Sequence, residues 1–170
     1  MSLDDIQAVI DSAKGRGTES LERLVRLRWP DATEAEVEDA VSVAVEIIES
    51  VPVFLARARQ EAEERHLESV VNPVLDHATR YFLRPLDLMP EATQGLAGLV
   101  DDTYLVLRVL QNLDRGPEPF LDWDLTHPSR FLRGLVGEEV GRRLDGLSIT
   151  AMQEVSDSFT ALFHRMAAKA

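Results

Sequence analysis

Apolar residues recur at steps of three and four along nearly the whole chain, and nowhere do they alternate between hairpin turns. That spacing predicts helices and argues against a sheet. Leu3, Ile6, Val9, Ile10 and Ala13 share one face of a first helix, which Gly15-Arg16-Gly17 ends. Ser2 with Asp5 resembles a capping box with Asp in place of Glu. Leu21, Leu24, Val25 and Leu27 define a second, short helix that Trp29-Pro30-Asp31 breaks, since the residue before proline avoids the helical region. Thr33 with Glu36 is a capping box for a third helix, buried on Val37, Val41, Val45 and Ile48. Pro52 marks a new start or a kink. The mixed charges of 59–68 read as an exposed helix surface.

Pro73 opens the next segment, with Val74, Leu75, Ala78, Tyr81 and Phe82, and a loop is expected over 84–98. Leu99 to Leu113 is apolar on most sides, as a helix central to a bundle is. A long connection over 114–127 is expected to be pinned by Phe120 and Trp123. Pro128 suits the first turn of a helix that runs through Phe131, Leu132, Leu135, Val136, Val140 and Leu144. Gly134, Gly137 and Gly141, on one face of it, read as a soluble helix–helix contact rather than a membrane packing motif, because Glu138, Glu139, Arg142 and Arg143 are interleaved. Thr150 with Gln153 is a capping box for a last amphipathic helix carrying Phe159, Leu162, Phe163 and Met166. The expected fold is all-α, a compact bundle of about seven or eight helices around a central helical hairpin, in a single domain over 1–170.

With 170 residues, 45% hydrophobic and 28% charged, the chain suits one globular domain and is not wholly disordered. The net charge of -12 argues against nucleic acid as a partner, because phosphate contact needs clustered Lys and Arg. Residues 1–50 hold 5 basic and 12 acidic groups, net -7, and residues 86–129 hold 2 and 8, net -6; these regions could steer a basic partner, but the favoured reading is a solvated surface. No Cys is present, so there is no disulfide framework and no thiolate nucleophile or ligand. The acidic, amphipathic opening is unlike a secretory signal, and no stretch reaches the ~18 uncharged apolar residues of a membrane span. A cytoplasmic location is expected. His66, His77, His127 and His164 share no metal-ligand spacing, and neither a nucleophile elbow nor a phosphate-cradling glycine loop with Lys occurs.

Residues 80–113 carry the most distinctive pattern. Two apolar segments flank a loop bearing Asp87, Glu91, Asp101 and Asp102, with Arg80, Arg84 and Arg108 in reach. Asp101 and Asp102 fall in a first helical turn, where the helix dipole favours negative charge by ~0.3–1 kcal/mol. Asp87, between Pro85 and Pro90, suits an Asx-type turn. The favoured expectation is that these acids cap turns and pair with Arg80, Arg84 or Arg108 to lock the hairpin. The alternative is a Mg²⁺ or Mn²⁺ site of Asp87, Glu91, Asp101 and Asp102, whose bound water would make a hydrolase. Adjacent helix positions point about 100° apart, which weighs against both Asp101 and Asp102 serving one site.

The run Pro85-Leu86-Asp87-Leu88-Met89-Pro90-Glu91, followed by Gly98-Leu99-Val100-Asp101-Asp102, resembles the signature of the YkvA-like bacterial proteins, domain of unknown function 1232. Pro85, Asp87, Pro90, Gly98, Asp101 and Asp102 fit that signature, and Glu91 stands where the family usually has Asp. The resemblance spans about a fifth of the chain. It implies a helical hairpin module at 78–113 with no established biochemical activity, some relatives being membrane-associated. The absence of a catalytic constellation and the acidic surface give the expectation of a non-catalytic module acting through a protein partner; the apolar face of the last helix is read as core, with a homodimer contact as the second choice. Peripheral membrane attachment is a weaker alternative. It would use an apolar helix face or, on anionic lipid, Arg130, Arg133, Arg142 and Arg143.

Overall fold

The computed structural model describes residues 2–84, 88–89, 94–114, 121 and 124–169, for 158, 159, 162 and 163 the backbone alone. Its elements are α1 (Leu3–Gly15), α2 (Glu19–Arg28), α3 (Glu34–Glu64), α4 (Glu68–Leu83), a short 3-10 helix (Gly95–Leu99), α5 (Val100–Leu113), α6 (Thr126–Val136) and α7 (Glu138–Ala168). Among the described residues there is no strand, so the all-α expectation holds. None of these helices is long and apolar enough to cross a membrane.

α5 is the axis of the bundle. It packs against α3, α4, α6 and α7. It is buried from Val100 to Leu110 with the sole exception of Arg108. A helix apolar all round has no face to give to water, so it takes the middle. Leu105, Leu107 and Leu110 are fully buried; together they contribute roughly 5–9 kcal/mol of gross transfer free energy. The N-terminal helices join the same core: α1 packs on α3, α4 and the 3-10 helix, and α2 packs on α3, α6 and the 3-10 helix.

Local sequence explains several boundaries. Glu36 N–H donates to Thr33 Oγ1 at 3.2 Å and Thr33 N–H to Glu36 Oε2 at 2.8 Å, closing the expected capping box at the head of α3. Ser2 N–H likewise donates to Asp5 Oδ2 at 2.9 Å. Other boundaries differ from the expectation. α3 continues through Pro52 rather than starting anew there, because buried Ile47, Ile48, Val51 and Leu55 hold the chain on both sides of the proline. Tertiary burial there outweighs the cost of an interior proline, about 3 kcal/mol relative to alanine in an isolated helix from the missing hydrogen bond and the ring clash together. α4 starts at Glu68 and includes Pro73. Between α3 and α4 the turn is closed by His66, a side-chain-bearing residue at φ 57°.

The segment expected as one helix from Pro128 through Leu144 is two. Gly137 takes φ 86° and ends α6, while α7 begins at the next residue. Residues with a Cβ avoid that conformation. Gly134 and Gly141 therefore flank an elbow rather than share a helix face with Gly137. The capping box expected at Thr150 is absent: Thr150 Oγ1 donates to the Gly146 carbonyl at 3.0 Å inside the continuous α7. A hydroxyl bonded back to its own helix cannot start one. Phe120 and Trp123, expected to pin the long connection, lie outside the described residues.

Candidate functional site

The head of the hairpin is built from the 3-10 helix and the first turn of α5. Gly95 adopts φ 64°, which starts the 3-10 turn, and Ala97 N–H donates to Ser20 Oγ of α2 at 3.2 Å. Gly98 follows, buried, and delivers the chain into α5. Asp101 and Asp102 are both buried, at 2% and 1% exposure. Asp101 reaches back: Leu88 N–H donates to its Oδ2 at 3.3 Å, and Asp102 N–H to its Oδ1 at 3.0 Å. One carboxylate thereby ties the strand of chain at Leu88 to a helix start 13 residues later. Thr103 Oγ1 closes the same turn on the Leu99 carbonyl at 2.6 Å.

Of the other expected site residues, Pro85, Asp87, Pro90 and Glu91 lie outside the described residues. Arg80 and Arg84 are exposed at the end of α4. Arg108 was expected to pair with the acids of the loop, and it turns the other way. Its Nε donates to Asp145 Oδ1 of α7 at 2.9 Å and its Nη1 to Gln111 Oε1 at 2.8 Å. Two turns of α5 separate Arg108 from Asp101, too far for that side chain to choose the loop over an acid already facing it. Among the described residues no three His, Asp or Glu side chains gather as a cation site would need.

Asp145 is the centre of a second polar cluster, which the sequence did not single out. Tyr104 Oη donates to Asp145 Oδ1 at 2.7 Å, and Arg133 Nη1 bonds Asp145 Oδ2. Arg133 Nη1 also donates to Tyr104 Oη at 2.9 Å, and its Nη2 to Glu138 Oε1 at 2.9 Å. The Arg133 guanidinium lies 5.9 Å from the Tyr104 ring centre. Burial pushes the Asp145 carboxyl up, but hydrogen bonds from Tyr104 and Arg133 and the charges of Arg108 and Arg133 outweigh it and hold it below its usual range. Burial raises the Tyr104 hydroxyl. Burial lowers the Arg133 guanidinium, but its bonds to Tyr104, Asp145 and Glu138 raise it above its ordinary value. Gly141 makes room for this arginine, since a Cβ there would sit 2.8 Å from Arg133 Cζ and closer still to Nε and Cδ. Of the basic residues expected as a lipid patch, Arg133 is thus spent inside the bundle, while Arg130, Arg142 and Arg143 are exposed. His77, near the loop by sequence, lies 3.9 Å from Glu154 of α7. The cluster joins α5, α6 and α7 and is a fastening, with both Asp145 oxygens taken, although Arg133 Nε is buried with no partner among the described residues.

On the opposite flank, α2 meets α6. Arg28 Nε donates to the Leu135 carbonyl at 2.6 Å and its Nη2 to that of Val136 at 3.3 Å, capping the end of α6. Trp29 packs on Phe131 with ring centres 6.0 Å apart, and a Cβ on Gly134 would come within 2.9 Å of its ring. Comparison with protein-family models, with curated proteins and with solved structures finds no match to this chain.

Proposed function

We propose that this chain is a non-catalytic, cytoplasmic interaction module, built on a YkvA-like hairpin over 78–113, whose acids fasten helices. The observation that carries the reading is Asp101. Its two carboxylate oxygens each take a backbone N–H, in a position 2% exposed. A carboxylate so engaged stabilises a loop at a helix start, whereas hydrolysis needs an open coordination position on a metal and access for water. The Tyr104–Arg108–Arg133–Asp145 cluster supports the reading in the same way, because its polar groups are turned on one another.

Two assays on the full chain test this together. A panel of generic phosphoesters with Mg²⁺ and Mn²⁺ is expected to show no turnover above a denatured control. Crosslinking in the source cells followed by purification is expected to recover a reproducible protein partner. Mn²⁺-dependent turnover that disappears in Asp101→Asn would replace the module by a carboxylate hydrolase.

A further inference from the structure

α2 and α3 enclose an open cleft of about 570 Å³, floored by Val25, Trp29, Pro30, Ala32 and Ala40. Trp29 leaves 37% of its surface exposed at the edge. The rim carries Asp31 and Glu36, which line the cleft, with Asp39 exposed one turn on from Glu36 along α3; Arg28 lines the inner wall. The two nearby arginines offset that charge only in part. Arg26 makes a two-pronged pair with Glu34, at 2.8 and 3.0 Å. Arg28 keeps its charge on the inner wall, its guanidinium turned onto the carbonyls of Leu135 and Val136, which leaves the rim an excess of acid in Asp31, Glu36 and Asp39. Among the described residues no ion pair involves Asp31, Glu36, Glu38 or Asp39.

Resting on the interaction-module reading, we propose that this cleft docks a basic amphipathic segment of a protein partner. One apolar side chain of the partner seats against Trp29 and Ala40. Lys or Arg side chains one helical turn to either side meet Asp31 and the Glu36–Asp39 edge of α3. An apolar floor with a half-exposed Trp suits an anchoring side chain. A rim with an excess of acid favours a basic partner and speeds encounter at low salt.

The probe is a fluorescein-labelled 14-residue amphipathic peptide of Leu and Lys, with a Glu-for-Lys version as the control. The full chain is expected to bind the Lys peptide saturably, and at least tenfold more tightly than the Glu peptide. Ala40→Arg, which fills the cleft and adds a positive charge, is expected to weaken binding at least tenfold, and Asp31→Lys several-fold. Melting curves confirm that both variants are folded. The proposal is overturned if the Lys peptide fails to bind saturably, if Ala40→Arg binds it as well as the native chain does, or if the Glu peptide binds equally. A self-association seen by sedimentation and abolished in Ala40→Arg would assign the cleft to a second copy instead. A crosslinked partner recovered equally with native chain and Ala40→Arg would refute the cleft while leaving the module reading standing.

Discussion

Replacing Asp145 by alanine removes the acceptor on which Tyr104, Arg108 and Arg133 converge. The cluster is neither open to solvent nor sealed, since the side chains of Arg108, Arg133 and Asp145 are 23%, 24% and 25% exposed. Breaking a fully buried pair costs about 3–5 kcal/mol, because the remaining charge is stranded. An exposed pair is worth about 0–1 kcal/mol. Two guanidinium groups lose their shared acceptor, but Arg133 keeps Glu138, Arg108 keeps Gln111 and both have partial access to water, which places Asp145→Ala between these limits, at about 2–3 kcal/mol. For a chain of this size that is a fall in melting temperature of roughly 4–12 °C. Urea titration and calorimetry measure both quantities. A double-mutant cycle with Arg108→Met is expected to be non-additive by more than about 0.5 kcal/mol, as for groups in direct contact. The pH dependence has a fixed sign. A carboxyl held below its unfolded value of 3.8 adds stability that is present above that value and is lost as pH falls through the lower folded value. The gap between native chain and variant should therefore stay constant from about pH 8 to 5 and close only in stronger acid. A melting shift below about 2 °C, or additivity in the cycle, would refute the claim that this cluster fastens α5, α6 and α7.

Two further substitutions test the backbone reading. His66→Gly should raise stability by about 0.5–1 kcal/mol, because φ 57° strains any residue with a Cβ and suits glycine; an unchanged or lowered urea midpoint would count against it. Gly141→Ala should cost about 1–3 kcal/mol by driving a methyl group into the Arg133 side chain. Most of that cost should vanish in an Arg133→Ala background, and an equal cost in both backgrounds would show the clash to be elsewhere.

What the sequence made legible was periodicity. α1, α2, the head of α3 and the apolar α5 are local patterns of apolar spacing and caps, and they stand where the residues put them. Pro52 misleads because its signal is local while the burial of Ile48 and Leu55 around it is tertiary. Gly137 hid in the opposite way. Three glycines at helical spacing look alike in a sequence, and only the bundle decides which one turns left-handed. Gly134 faces Trp29, and Gly141 faces Arg133. In the hairpin head, Asp101 and Asp102 were visible as a first-turn pair, but that Asp101 reaches Leu88 depends on how the loop returns. Asp145 carried no signal at all, since its partners stand 12 to 41 positions away on other helices. An alternating array of charges on α6 and α7 does not say which arginine leaves the surface.

Whether the carboxylate at the top of α5 ties the chain or holds an ion is read most directly by melting the native protein and Asp101→Asn with and without millimolar Mn²⁺. Asp101→Asn is expected to melt lower, by roughly 2–8 °C for the ~1–2 kcal/mol of a weakened cap, with no Mn²⁺-dependent shift in either protein. A native chain that Mn²⁺ stabilises by several degrees, with the effect gone in Asp101→Asn, would contradict this expectation.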